Sequence, residues 1–367
     1  MTRLLVIDDS ALMRRLLIEI FTSAGDFEVA VARSGAEALE MLADVAPDVI
    51  TLDVNMPGMD GLVCLDRIMV IRPCPIVMVS SLTADGAEET LEAMALGAVD
   101  FIAKPKGAVS LEIDAIADDL VDKVRAASKA RISRTTRLQE RVRARARGGL
   151  AGRKPRPVRS IPDGAAPLPR LSRVDGETGL VLVGCSTGGP PALDAVLGEL
   201  SENFPWPILI AQHMPASFTG PLARRLDRMC ALTVREITGT TPLLPGHAYI
   251  GKGDADLILS RRNGHLVALP APSSSDYFWH PSVDRLVDSA MRLVAPDRLV
   301  GVLMTGMGTD GAAAMTRLKQ AGGLTIAEAE SSAVVWGMPG ALVQADGAGI
   351  VRPLGRIADA LTALLPA

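Results

Sequence analysis

Along the first third of the chain, short apolar runs rich in Val, Ile and Leu alternate with amphipathic stretches. Candidate strands fall at 4–7, 28–32, 49–52, 76–79 and 99–102, and helical periodicity fills 11–24, 36–43, 62–71, 87–96 and the stretch from 111 onward. Strict β/α alternation predicts a parallel, doubly wound sheet whose ligands lie beyond the C-terminal strand ends. A second alternating pattern begins near 178. Its candidate strands are 179–183, 208–211, 248–250, 256–259, 265–268, 299–304, 324–327 and 349–351, with helices near 191–200, 219–229, 282–291, 310–320 and 357–364. The turn Arg262-Asn263-Gly264-His265 marks a β-hairpin, because Asn-Gly tolerates the positive φ that a two-residue hairpin turn needs. The expected fold class is α/β: two doubly wound, mostly parallel sheets, the second with a hairpin appended.

Between the two patterns the composition changes. From Lys123 to Ser160 there are 14 Lys or Arg and one acid, Glu140, against 38 basic and 42 acidic residues in the whole chain, so the two patterned regions are left acidic. Gly148-Gly149 and prolines at 155, 157, 162, 167 and 169 then make the second half of this stretch a tether. Three units follow: a domain at 1–122, a basic Pro/Gly-containing linker at 123–177 and a larger domain at 178–367. A basic arm can bind nucleic acid, but nothing in the last domain reads as a helix-turn-helix, and 3% aromatic content leaves no platform for stacked bases. No specific nucleic-acid partner is expected, and the arm reads as a solvated linker leaning on acidic domain faces. The N-terminus meets Asp8-Asp9 too soon for a signal peptide, and charge or proline breaks each later apolar run before it could span a bilayer, so no membrane insertion is expected. Four cysteines without Cys-x-x-Cys spacing fit a reducing, cytoplasmic setting.

The strand ends of the first domain carry a distinctive set of groups. Asp8 and Asp9 follow the first strand, Asp53 the third, Ser80 the fourth and Lys104 the fifth. Three carboxylates converging on one point repel one another unless a divalent cation neutralises them, and Mg²⁺ suits an all-oxygen site. Lys104 and Ser80 could then hold the oxygens of a phosphoryl group on Asp53. The stretches Asp8-Asp9-Ser10, Asp53-Val54-Asn55-Met56-Pro57-Gly58-Met59-Asp60-Gly61, Val79-Ser80-Ser81 and Lys104-Pro105 resemble those of response-regulator receiver domains. That resemblance implies a flavodoxin-like fold, phosphorylation of Asp53 by a histidine kinase, Mg²⁺ held by Asp8, Asp9 and Asp53, and a switch made of Ser80, Phe101 and Lys104.

In the second domain the strand at 179–183 runs into Gly184-Cys185-Ser186-Thr187-Gly188-Gly189, placing Ser186 at a strand end and a helix start where a nucleophile is well served. Of four histidines, His213 alone directly ends a buried strand, and Asp310 follows another within Thr305-Gly306-Met307-Gly308-Thr309-Asp310-Gly311. If those strands are neighbours, Ser186, His213 and Asp310 meet on one sheet edge as a nucleophile, base and orienting acid. Gly184-x-Ser186-x-Gly188 literally matches the α/β-hydrolase nucleophile elbow, but the order Ser, His, Asp does not match that superfamily's Ser, acid, His. His247, His265 and His280 are expected in structural roles, and Cys185 as a small buried side chain. Backbone N–H groups of Thr187, Gly188 and Met307 are the candidate oxyanion donors.

These segments, with Gln212-His213-Met214-Pro215, His280-Pro281-Ser282-Val283-Asp284 and Gly337-Met338-Pro339-Gly340, resemble the catalytic domain of the chemotaxis protein-glutamate methylesterase family. The match departs from the family pattern at Cys185 and in lacking an arginine after His280. It implies a Rossmann-like domain that removes methyl esters from glutamates of methyl-accepting chemoreceptors, with deamidation of their glutamines, and no cofactor at the esterase site. Control of an esterase by phosphorylation at Asp53 leads to the expectation that the unphosphorylated receiver covers the Ser186 edge.

Overall fold

The computed structural model describes residues 1–80, 83–104, 113–130 and 179–365. Most of the basic stretch lies outside them, as do Ser81 and Pro105.

The N-terminal unit runs β1 (Thr2–Ile7), α1 (Ala11–Ser23), β2 (Phe27–Ala32), α2 (Gly35–Val45), β3 (Val49–Asp53), α3 (Gly61–Ile71), β4 (Ile76–Ser80), α4 (Ala84–Leu96), β5 (Asp100–Ala103) and α5 (Ile113–Ser128). All five strands are parallel in the order β2-β1-β3-β4-β5, the flavodoxin-like arrangement. Strands β3 and β4 are buried along their whole length, which is why each reads as an unbroken apolar run. Four helices start on side-chain caps: Ser10, Ser34, Asp60 and Thr83 accept from the amides of Met13, Glu37, Val63 and Gly86. Each cap contributes about 1 kcal/mol and fixes where the strand-end loops stop. Helix α5 continues to Ser128, so residues 123–128 of the expected linker are helical.

The C-terminal unit is built on a seven-stranded parallel sheet in the order β15-β14-β13-β6-β7-β10-β8. Its elements are β6 (Leu180–Cys185), α6 (Gly189–Leu197), β7 (Ile208–Gln212), α7 (Ala216–Met229), β8 (Thr233–Ile237), β9 (Thr241–Pro242), β10 (His247–Gly251), β11 (Ala255–Arg262), β12 (His265–Pro272), α8 (Val283–Met291), β13 (Leu299–Leu303), α9 (Ala312–Gln320), β14 (Leu324–Glu328), α10 (Met338–Gln344), β15 (Ile350–Arg352) and α11 (Ile357–Leu364). The chain leaves β6 toward β7 on one side and returns to β13 on the other, so the switch point of the sheet lies between β6 and β13. Crevices form at such points. The hairpin turn has Asn263 at φ 50° and Gly264 at φ 81°, as Asn-Gly requires. The hairpin strands do not extend the main sheet, however. They form a separate antiparallel sheet, β11-β12-β9, because β8 ends the parallel sheet and β9 pairs with β12 instead.

Helix α4 of the first unit packs on α6 and α7 of the second. Phe101 stacks on Phe218 at 4.2 Å between ring centroids, and Glu88 pairs with Arg224 at 3.6 Å on the exposed rim.

Candidate active site

Strands β13, β6 and β7 are adjacent, which is the condition the sequence left open. Register pairs Cys185 with Gln212, and the His213 amide donates to the Cys185 carbonyl at 3.1 Å, so the ladder itself sets His213 beside Ser186. On the other side the Ser186 amide donates to the Thr305 carbonyl at 3.0 Å. Gln212 is buried and ties the two loops together: its Nε2 donates to the carbonyls of Ser186 at 3.1 Å and His213 at 3.0 Å, while its Oε1 accepts from the Cys185 thiol at 3.1 Å. Cys185 therefore faces inward, and burial pushes its thiol well above the ordinary range, which removes it as a nucleophile.

His213 Nε2 lies 2.8 Å from Asp310 Oδ2. Among the described residues, His213 Nδ1 is buried and has no hydrogen-bond partner. With Nε2 carrying its hydrogen to Asp310, Nδ1 is the lone-pair nitrogen available to a serine hydroxyl. Asp310 is 6% exposed. Burial raises its carboxyl, but the His213 hydrogen bond and charge, with the amides of Val283 at 2.7 Å and Asp284 at 3.1 Å, more than offset this and hold it below the ordinary range. Those amides open α8, so the positive end of a helix faces the acid. Ser282 Oγ donates to the other oxygen of Asp310 at 3.0 Å.

Two glycines are required by close approach. A Cβ on Gly306 would lie 2.8 Å from the Ser186 Cβ and 2.3 Å from the Met338 sulfur. Gly188, at φ 75°, caps α6, and a Cβ added there would lie 2.8 Å from the Val334 Cβ. The Thr305 loop is fixed from below, where Glu328 Oε2 accepts the Thr305 amide at 2.8 Å and Thr305 Oγ1 donates to the Thr187 carbonyl at 2.9 Å. Met307 lines a cavity of about 630 Å³ together with Trp279, Trp336 and, from the first unit, Arg125 and Lys129 of the segment at the end of α5. The other histidines have structural partners or none: His247 Nδ1 meets the Pro245 carbonyl, His265 sits exposed at the hairpin, and His280 Nδ1 contacts Asp256 at 3.0 Å.

Sequence reasoning did not reach Trp279, whose ring stacks on His213 at 5.1 Å and 8°. Nor did it reach Asp100, which opens β5 and accepts a short hydrogen bond from Thr187 Oγ1, one residue from Ser186. Both contacts join segments far apart in the chain, and no local pattern signals them.

In the first unit, carboxylate oxygens of Asp8, Asp9 and Asp53 all lie within 4.8 Å of one another. Lys104 Nζ lies 2.7 Å from Asp53 and 3.4 Å from Asp8. Burial raises the carboxyls of Asp8 and Asp53, with Lys104 acting against it. One oxygen of Asp8 is buried without a hydrogen-bond partner among the described residues. A hard, oxygen-seeking divalent cation fits this donor set. Ser80 Oγ donates to the Gly86 carbonyl at 3.1 Å. Phe101, on the same strand as Asp100, is buried against Phe218.

A family model described as CheB methylesterase matches residues 181–361, and one described as response regulator receiver domain matches residues 4–114. The chain is 55% identical over 363 residues to a Rhodospirillum rubrum protein named protein-glutamate methylesterase/protein-glutamine glutaminase 3, covering 99% of this chain and 96% of that one. A Rhodopseudomonas palustris protein named protein-glutamate methylesterase/protein-glutamine glutaminase 2 is 54% identical, with 98% and 97% covered. Among solved structures, the Thermotoga maritima CheB methylesterase catalytic domain is 37% identical, with a TM-score of 0.49 over 51% of this chain and 98% of that one.

Proposed function

Because the chain belongs to the CheB methylesterase family, we propose that it is a phosphorylation-regulated hydrolase of glutamate methyl esters on chemoreceptors, and of their glutamine amides, in chemotactic adaptation. Ser186 is the nucleophile, His213 the base and Asp310 the acid that orients it. The observation that carries this assignment is the His213–Asp310 contact, with His213 Nδ1 without a partner among the described residues and His213 set beside Ser186 by the β6–β7 pairing.

The reaction follows from these groups. Ser186 Oγ bonds to the ester carbonyl carbon as its proton passes to His213 Nδ1, and Asp310 stabilises the imidazolium. The carbonyl oxygen takes the negative charge beside the amides of Thr187, Gly188 and Met307. Collapse breaks the C–O bond to methoxide, which leaves as methanol with the proton from His213. Water, deprotonated by His213, then attacks the acyl-serine and releases glutamate and free Ser186. For a glutamine the leaving group is ammonia. Methanol release from methylated receptor membranes tests the assignment: it is lost in Ser186→Ala and falls to a small residual rate in His213→Gln and Asp310→Asn, and full activity in any of them overturns it.

Control enters through Asp53. A histidine kinase supplies the phosphoryl group, and Asp8, Asp9 and Asp53 would hold Mg²⁺, which neutralises the incoming phosphate and the carboxylates. Lys104 holds the phosphoryl oxygens and Ser80 turns from Gly86 toward them. Two features support autoinhibition by the receiver: the Asp100–Thr187 contact next to the nucleophile, and the basic end of α5 lining the cavity with Trp279 and Met307. No helix among the described residues is long and apolar enough to cross a membrane, and the expected site of action is the cytoplasmic part of the receptors.

A further inference from the structure

His213 is flanked by two groups delivered by one loop. Trp279 stacks on its ring, and Ser282 with the first amides of α8 grips Asp310, its acid partner. His280 and Ser282 lie between and beside these groups, and both are fastened to a single carboxylate that the hydrolysis does not use. Asp256, on β11, is 1% exposed. Its Oδ1 accepts His280 Nδ1 at 3.0 Å and the Ser282 amide at 2.7 Å, and its Oδ2 takes a short hydrogen bond from Arg285. Arg285 also donates to the Pro272 carbonyl at 2.7 Å, tying α8 to the end of β12.

We infer that Asp256 is a positioning residue for hydrolysis: it fixes the loop that sets both the stacking face of His213 and the oxygens of Asp310. The inference rests on the Ser186–His213–Asp310 reading. A buried carboxylate needs its donors, and here the donors are drawn from the loop whose geometry the base depends on. The stacking partner and the acid partner are thereby set by the same anchor. Catalysis is sensitive to such placement, since a shift of about 1 Å can cost about 100-fold in rate. Asp256 does not itself line the cavity at Met307 and Trp336, so the loss should fall on kcat more than on KM.

The test uses the full-length protein, activated by a small-molecule phosphodonor with Mg²⁺, and methanol release from methylated receptor membranes. Asp256→Asn keeps the shape and can still accept from the Ser282 amide, but gives up the charge that holds His280 and Arg285. It should lower kcat about 10- to 100-fold with KM within about twofold. His280→Gln removes only the arm next to Trp279, on a side chain that is partly exposed, and should lower kcat by about 3- to 10-fold in a protein whose melting is little changed. In an Asp310→Asn background the Asp256→Asn change should cost almost nothing more, because the geometry it protects is already lost. Normal kcat in folded Asp256→Asn and in His280→Gln overturns the inference. So do losses that multiply independently of Asp310→Asn, although the triad then stands. Full activity in Asp310→Asn alone instead removes the triad reading on which the inference rests.

Discussion

The contact between Asp100 and Thr187 makes a quantitative prediction about restraint of the enzyme by its receiver. Thr187 is 2% exposed and Asp100 is 6% exposed, so the bond is sealed from water in the covered arrangement. Burial raises the Asp100 carboxyl, opposed by Lys123 and by the Thr187 hydroxyl itself. A hydrogen bond to a charged group is worth about 1.5–3 kcal/mol, and a buried hydroxyl left without its acceptor loses a comparable amount. Asp100→Ala removes the bond from the receiver side, strands Thr187 in the covered state and lets it find water in the open one. The ratio of covered to open molecules should then fall by about 10- to 100-fold. Methanol release by the unphosphorylated protein should rise by up to that factor, limited by the fully open rate, while stimulation by a phosphodonor with Mg²⁺ shrinks correspondingly. Far-UV circular dichroism and gel filtration establish that the variant is folded and of unchanged size. A folded Asp100→Ala protein with the parent's basal rate and full stimulation refutes the reasoning, and would mean that the α4 and α5 contacts alone keep the receiver in place.

The remaining predictions address the same two sites. Phe218→Ala empties the ring that packs on Phe101 at 4.2 Å; it should raise basal activity in the same assay and lower stability by about 3–5 kcal/mol in denaturant melts. Gly306→Ala puts a methyl 2.8 Å from the Ser186 Cβ, and should cut kcat sharply and cost about 1–3 kcal/mol in the same melts. Glu328 is raised by burial against the Thr305 amide and the Ser332 hydroxyl, so its stabilising contribution is complete below the usual glutamate value of 4.5 and is lost as pH rises through its higher folded-state value. Glu328→Gln should therefore flatten the decline in unfolding free energy above pH 4.5, measured by denaturant titration at stepped pH. Chelation of Mg²⁺, or Asp53→Asn, should abolish phosphodonor stimulation and leave basal methanol release intact.

What the sequence made legible depended on rules that act locally. Ser186, His213 and Asp310 could be named because buried parallel strands end in polar residues, and only one of four histidines ends such a strand. The acids at 8, 9 and 53 were found the same way. Elements that local rules describe poorly were missed: β8 at the sheet edge buries only Val234 and Ile237, and α10 opens on Met-Pro-Gly, which reads as a loop. The hairpin was seen, but its detachment from the main sheet was not, since β9 is two residues long.

The groups that complete the site share a different cause. Asp256, Trp279, Gln212, Glu328 and Asp100 act through contacts between residues 23 to 87 apart, as in Thr305–Glu328 and Asp100–Thr187. A carboxylate in a strand carries no sign of what it will face, so Asp256 and Asp100 looked alike in sequence. One lies inside the second unit, where it fixes the base. The other opens β5 of the receiver, one residue before Phe101, and it reaches the residue after Ser186. Because Lys104, Phe101 and Asp100 sit on one short stretch, the proposed engagement of a phosphoryl group on Asp53 by Lys104 would act on the strand that holds Thr187.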